Sequence, residues 1–323
     1  MSNMSDYCVS PWRTWFNGIE HAAGLSSTAF GVAVKREQNA HMVRISLRTP
    51  GLAFYTTPNS GPYQTQQQTI FDFLTSACSV CNVRLAINAA LGWAGGQDDV
   101  GAPASLFGLA KSRGTVVCDP TVPAPQPNPV SQPDVPDSTS VGTVALILTQ
   151  DNRASFQVIN AQQPGEGSPW ASAYTAVAGS PQPRDGVLWP PGPFVGGLVP
   201  GEAMVLRGGK NNGIPSADGT DGEKIAGRTA VGLSQDGSYL FLLTIDGVEG
   251  ASPQYGATFH DVGEWLRIMG AHDGITLDGG GSTAMAILTD NNQPTLVNIP
   301  HGTEGPPYIQ RANAQFFGVA PGT

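Results

Sequence analysis

The residues best suited to chemistry lie at the ends of apolar runs. Ile275-Thr276-Leu277 ends in Asp278, and Gly279, Gly280, Gly281, Ser282 and Thr283 follow before a second apolar run opens at Ala284. Consecutive glycines raise the entropy cost of folding, so an ordered glycine run marks tight geometry or close approach by a ligand. A carboxylate beside successive backbone N–H donors suits an anion, phosphate in particular. The same residues would also make a glycine-rich hairpin with Asp278 as a turn former. Two further polar residues end apolar runs, Asn88 after Val83–Ile87 and Asp246 after Ser238–Ile245. Thr229–Leu233 and Ser238–Ile245 are joined at Gln235-Asp236-Gly237-Ser238, and Asp-Gly between two such runs is a strong hairpin signal. A two-residue loop of Asp236 and Gly237 puts Gln235 opposite Ser238 and Arg228 opposite Ile245. Arg228 and Asp246 then share the open end of one hairpin, as a site or as a structural ion pair.

These side chains need a scaffold, and its elements can be read in part. Phe30–Val34, Met42–Leu47, Leu52–Thr56, Val83–Ile87, Thr115–Cys118, Val141–Leu148, Ser155–Ile159, Ala203–Leu206 and Arg311–Val319 read as strands. Gln64–Ala77 has apolar residues at Ile70, Phe71, Phe73 and Leu74, the spacing of an amphipathic helix. Thr258–Gly270 reads as a second helix, with Thr258 as cap, Asp261 at the acidic third position and Gly270 as terminator. Its apolar face, Phe259, Val262, Trp265, Leu266 and Met269, is core. Seven prolines between Asp119 and Ser140 rule out a packed element there, so 119–140 reads as a surface insertion rather than a linker. Gly165–Pro200 and Arg207–Gly227 read as loops. The expected fold is α+β, a mixed and largely antiparallel sheet core with a few packed helices. It forms a single domain over 1–323 with its core at about 28–319.

Composition narrows the partners. A net charge of −9 and only four lysines leave no basic patch for nucleic acid. No apolar run approaches the roughly 20 residues of a membrane helix, so no membrane partner is expected. Met1–Trp15 lacks a charged start followed by an apolar stretch, so no signal peptide is read, and an intracellular, secreted or virion location stays open. Cys78 and Cys81 have metal-like spacing without a second pair or a nearby histidine, so buried thiols are expected first and a disulfide second. No metal or other cofactor is expected. Asp218, Asp221 and Glu223 could hold calcium, but their spacing is not an EF-hand and a solvated loop explains them. The glycine run lacks the lysine and spacing of a nucleotide P-loop. His260 and His272 flank the second helix as surface residues, and His301 lies in a loop.

Several motifs together resemble the phosphodiester glycosidase family. Leu277-Asp-Gly-Gly-Gly-Ser-Thr-Ala-Met285 is similar to its signature, and Gly227-Arg-Thr-Ala-Val-Gly232 and Ile245-Asp-Gly247 resemble consecutive strands of it. Ala86-Ile-Asn88 resembles another strand end, although Ala89-Ala-Leu-Gly-Trp93 departs from the glycine-aromatic pattern that follows. Arg311-Ala-Asn-Ala314 is similar to the closing strand, and the matches run in the family's order from about Val43 to Val319. The resemblance implies hydrolysis of a sugar C1–O bond whose oxygen belongs to a phosphodiester. It casts Asp278 and Asp246 as the catalytic carboxylates, in either role, and Arg228 as the phosphate partner. The N–H groups of Gly279, Gly280 and Gly281 and the Ser282 hydroxyl would complete an anion cradle. Asn88 would hydrogen-bond the sugar, and Arg311 would orient a carboxylate or touch the phosphate. Two other readings stay open: a non-catalytic phosphosugar- or glycan-binding module of a surface or virion assembly, and a hydrolase of this fold acting on a nucleotide-type glycosyl phosphate.

Overall fold

The computed structural model describes residues 7–26, 37–60, 64–94, 99–119, 143–159, 170–180, 204–213, 225–248, 255–301 and 310–323. The expected strand Phe30–Val34, the proline-rich stretch 120–140 and the acidic loop with Asp218, Asp221 and Glu223 lie outside them. The fold is more β than α+β: among the described residues two α-helices, Ile70–Cys81 and Phe259–Met269, accompany antiparallel sheets.

The nine-stranded sheet carries the site. Its order is Tyr7–Val9, Ile19–Ser26, Gln38–Ser46, Tyr239–Ile245, Arg228–Leu233, Asp273–Thr276, Met204–Arg207 and Lys210–Asn211, with Arg13–Phe16 paired to Ile19–Ser26. A five-stranded sheet holds Pro294–Leu296, Met285–Leu288, Leu85–Asn88, Phe316–Ala320 and Ala53–Thr56. Another holds Thr115–Cys118, Ala110–Ser112, Thr175–Ala178, Thr143–Leu148 and Ala154–Ile159. The strands flanking the proline-rich stretch, Thr115–Cys118 and Thr143–Leu148, thus belong to one sheet. A small three-stranded sheet, Thr65–Gln66, Pro103–Leu106 and Gly92–Trp93, completes the set.

Side-chain alternation sorts these sheets into layers, because successive strand residues face opposite sides. Val43, Ile45, Val231, Leu233, Leu240 and Leu242 of the large sheet meet Leu85, Ile87, Phe317 and Val319 of one five-stranded sheet and Val144, Leu146 and Val177 of the other. The opposite face of the large sheet, with Met42, Ala230 and Leu243, is covered by Val262, Trp265, Leu266 and Met269 of the second helix. Ile70, Phe73, Leu74 and Ala77 of the first helix cover the outer face of Leu85–Asn88 and Phe316–Ala320. Trp265 is fully buried and donates Nε1–H to Gln38 Oε1 at 2.8 Å, which satisfies the one polar atom its burial would otherwise strand. Both helices open on a full capping box, Thr69 with Asp72 and Thr258 with Asp261.

Five sequence expectations change. The first helix starts at Ile70 rather than Gln64, because Thr65–Gln66 pairs with Pro103–Leu106 instead. Thr175–Ala178, inside a stretch expected as loop, is a fully buried strand between Ala110–Ser112 and Thr143–Leu148. The closing strand begins at Phe316 rather than Arg311, because Asn313 pairs outward with Gln68 and Gln315 with Ala89 and Ala90. Only Cys118 of the four cysteines is buried, and all four are free thiols. Tyr7–Ser26, for which no element was expected, supplies three strands to the large sheet.

Candidate active site

The hairpin register is the one expected from sequence, with Arg228 opposite Ile245, although the loop spans Gln235–Ser238 rather than two residues. Gly237, at φ +64°, takes the left-handed position, and its N–H donates to Ser234 O at 3.0 Å. Arg228–Leu233 therefore runs between Tyr239–Ile245 on one side and Asp273–Thr276 on the other. Asp246 and Asp278 continue these two flanking strands and stand on opposite sides of the Arg228 strand end. Two strand spacings put their backbones roughly 10 Å apart.

Arg228 is half-buried. Its guanidinium lies 4.3 Å from the Phe259 ring centre, and its Nε donates to Ala257 O at 3.1 Å. A Cβ built on Gly279 would lie 3.8 Å from Arg228 Nη1, so the cation adjoins the glycine run directly. Arg228 and Asp246 make no ion pair among the described residues, which removes the reading of a simple charge clamp across the hairpin end.

The backbone of the site admits almost no side chain. A Cβ at Gly227 would come within 3.0 Å of both Gly280 O and Thr283 Oγ1. One at Gly247 would sit 2.5 Å from Ala226 C, and one at Gly256 2.7 Å from Ala226 O. Three segments thus touch backbone to backbone, which is the physical content of the glycines in the Gly-Arg-Thr and Asp-Gly motifs. Gly247→Ala is expected to cost about 2–4 kcal/mol, because only rigid backbone is there to yield. A melting temperature equal to wild type would show that the segments can part freely.

The glycine run does not form the cradle of three N–H donors anticipated from its sequence. Gly279 N–H donates to Asp278 Oδ1 at 2.9 Å and Gly280 N–H to Gly227 O at 2.8 Å. Gly280–Ser282 then winds into a 3-10 turn, with Ser282 N–H donating to Gly279 O and Thr283 N–H to Gly280 O. Of the three glycines only Gly281 keeps an N–H without a partner among the described residues. Gly280 sits at φ +60° with open space around its missing Cβ, so its glycine serves backbone geometry rather than close approach.

Asn88 and Asp246 are placed differently from expectation. Asn88 is fully buried, donating Nδ2–H to Asp278 O at 2.6 Å. Its Oδ1 accepts from Thr229 Oγ1 at 2.6 Å and from Ala284 N at 3.0 Å. It ties together both ends of the glycine run and the Arg228 strand and is closed off from a sugar hydroxyl. Asp246 is also fully buried. Its Oδ2 accepts from Asn39 Nδ2 at 2.7 Å and Tyr255 OH at 3.4 Å, with His41 Nε2 3.5 Å away. Its Oδ1 accepts from Ile299 N at 2.9 Å. Both oxygens are engaged, so Asp246 is built as an anchor, not as a carboxylate facing a substrate. Asp278 remains half-buried with its backbone N–H bonded to Ala89 O at 2.9 Å. Ser282 is buried and its carbonyl accepts from Asn313 Nδ2 at 3.1 Å, whereas Arg311 is exposed.

Sequence reasoning missed Asn39, His41, Tyr255, Asn298, His301 and Asn313. One signal was available: Asn39 and His41 alternate on one face of a strand whose next residues on that face, Val43 and Ile45, are apolar core. Burial and the nearby Asp246 carboxylate push the Tyr255 phenol well above its usual range, so it stays protonated and donates. Burial lowers the His301 imidazole, with Asp246 pulling weakly the other way. His260, expected at the surface, is half-buried and lowered by that burial. No group of three or more His, Cys, Asp or Glu residues that could hold a metal occurs among the described residues, and no described helix is long and apolar enough to cross a membrane.

Residues 174–320 match the model of the phosphodiester glycosidase family. That range holds Arg228, Asp246, Asp278 and the glycine run, and leaves out Asn88. No curated protein sequence matches significantly. The solved catalytic domain of zebrafish N-acetylglucosamine-1-phosphodiester alpha-N-acetylglucosaminidase, auto-inhibited by its pro-peptide, is 15% identical, covers 97% of this chain and 88% of its own, and superposes with a TM-score of 0.60. An exported protein from Burkholderia pseudomallei, 11% identical, covers 98% and 96% at a TM-score of 0.55. A protein from Synechocystis, 14% identical, covers 96% of this chain and 64% of its own at a TM-score of 0.50. The resemblance read from the motifs thus stands, as a family match over residues 174–320 and as a shared fold along the chain.

Proposed function

From the phosphodiester glycosidase match over residues 174–320, we propose that the chain is a hydrolase that cleaves the C1–O bond of a sugar-1-phosphodiester, releasing free sugar and a phosphate monoester. The observation that carries this reading is the meeting of Arg228 with the Asp278 loop, where the guanidinium lies 3.8 Å from the place of a Gly279 Cβ. A planar cation binds a phosphate diester by two parallel hydrogen bonds, and stacking on Phe259 fixes its plane. The half-buried Asp278, one residue before the glycine run, faces the sugar side of that phosphate.

In the step proposed, the C1–O bond breaks and its electron pair leaves with the phosphate monoester. That leaving group is weakly basic, so no strong general acid is required. Positive charge develops at C1 as the bond lengthens, and Asp278 stabilises it, as base for an attacking water or as nucleophile. The water supplies oxygen to C1 and loses its proton to the carboxylate. The free N–H of Gly281 adds one donor for phosphate oxygen. Asp246 supports this arrangement by fixing Asn39, Tyr255 and Ile299 around the strand end. Single domain organisation, with 119–140 as an insertion, belongs to the same reading and is supported by the shared sheet on either side of it.

The test is release of reducing sugar from a panel of sugar-1-phosphodiesters. Arg228→Ala is expected to raise KM by on the order of 10²-fold, since a charge-assisted bidentate contact is worth about 3 kcal/mol. An unchanged KM would remove Arg228 from the phosphate. The engagement of both Asp246 oxygens favours one alternative, a phosphosugar-binding module without a catalytic pair of carboxylates. That module would bind the panel and turn over none of it.

A further inference from the structure

The segment Val297–His301 straps the two sides of the site together. Val297 N–H donates to Met285 O at 2.8 Å, and Asn298 Oδ1 accepts from Met285 N at 2.6 Å. Asn298 Nδ2 reaches back to Thr283 O at 3.2 Å, just past the glycine run. Ile299 N–H then donates to Asp246 Oδ1. The strap's backbone is thereby fixed, yet the Ile299 side chain is 41% exposed. Single exposed apolar residues are ordinary on a protein surface. Among the eight large apolar side chains exposed in the described residues, however, Ile299 is the one whose own backbone is bonded to a side chain of the site. The Tyr255 hydroxyl shares the Asp246 carboxylate with the Ile299 N–H, and the half-buried Tyr255 and His301 rings lie edge-on with centres 6.3 Å apart. Burial raises the Tyr255 phenol and lowers the His301 imidazole, in each case toward the uncharged form.

This apolar group has a definite side. The Arg228 strand end lies between Asp278 and Asp246, and Ile299 and Tyr255 are both bonded to Asp246. With the phosphate on Arg228 and the sugar C1 toward Asp278, the second ester of the phosphate points toward Asp246. We propose that Ile299, with the rings of Tyr255 and His301, forms a subsite for the group esterified on the far side of the phosphate from the sugar, and that this group is uncharged and apolar or aromatic. The assignment rests on the proposed function and names the aglycone half of its substrate.

The experiment compares glucose- and N-acetylglucosamine-1-phosphodiesters that differ only in the aglycone: methyl, glyceryl, hexyl and phenyl. Wild type is expected to favour hexyl or phenyl over methyl by about 10-fold or more in kcat/KM, the discrimination a hydrophobic pocket supplies for a few carbons. Ile299→Asp is expected to erase that preference, with the loss falling chiefly on the hexyl and phenyl esters, and Ile299→Ala to fall between them. Equal kcat/KM across aglycones in wild type, or an equal loss on all of them in Ile299→Asp, would overturn the subsite. If wild type hydrolyses none, the hydrolase reading fails by itself, and the subsite is then read by binding. Methyl phenyl phosphate should bind more tightly than dimethyl phosphate in calorimetry, and Ile299→Asp should remove the difference. No difference in wild type, or one that survives the substitution, would sink the proposal.

Discussion

Asp278→Asn should abolish release of reducing sugar, with kcat falling by on the order of 10³-fold or more, while melting temperature changes little. The amide is the informative choice because of what Asp278 does structurally. Its Oδ1 accepts the Gly279 N–H at 2.9 Å, and an asparagine oxygen can keep that bond. The Asp278 backbone bonds, N–H to Ala89 O and C=O from Asn88 Nδ2, do not involve the side chain at all. The substitution therefore removes a negative charge and a proton acceptor while these bonds can stay in place. Substrate affinity should hold within a few fold, since the proposed phosphate contact is made by Arg228 and not by Asp278. Turnover equal to wild type would take Asp278 out of the chemistry. The same substitution at Asp246 should look quite different. An amide there presents an N–H₂ to donors already in place, so loss of stability should accompany any loss of rate.

That contrast marks the boundary of what the residues alone disclosed. The helix Phe259–Met269 was readable end to end because its capping box and terminating Gly270 are local features. The Arg228–Ile245 register was readable despite the wrong loop length, since Gln235–Ser238 keeps the same residues opposite one another. Asp246 and Asp278 looked alike in sequence, each a carboxylate at a strand end followed by glycine. They differ in structure through partners far along the chain: Asn39 is 207 residues from Asp246 and Ile299 is 53 away. No local pattern encodes that burial. The glycine run failed for a related reason. Its composition signals close backbone approach, but the direction of each N–H follows from the 3-10 turn and from Gly227 O, which belongs to another strand. Asp278 stays half-buried where the large sheet and the Leu85–Asn88 sheet meet.

Asn88→Ala is expected to be the most destabilising substitution at the site, by about 3–5 kcal/mol, with a fall in melting temperature on the order of 10 °C. The truncation strands three groups at once: the buried Thr229 Oγ1 and Ala284 N–H, and the Asp278 carbonyl. The Thr229 hydroxyl and the Ala284 N–H lie away from water, so each loses a partner that solvent cannot replace. These groups belong to the Arg228 strand, to the start of Met285–Leu288 and to the Asp278 loop, so the loss also frees the Asp278 segment to shift. A displacement near 1 Å costs on the order of 10²-fold in rate, and kcat should fall more than KM rises. Asn88→Asp separates the two consequences. It keeps an oxygen for Thr229 and Ala284 but sets a carboxylate against the Asp278 carbonyl, so the loop should be pushed away while the strand contacts survive. Had Asn88 been a sugar ligand, both variants would raise KM for some sugars and not others, at unchanged melting temperature. A stability loss shared by every substrate condition, with kcat as the affected parameter, identifies the buried pin instead. The outcome decides whether the Asn88 strand end belongs to recognition or to the rigidity that holds Asp278 beside Arg228.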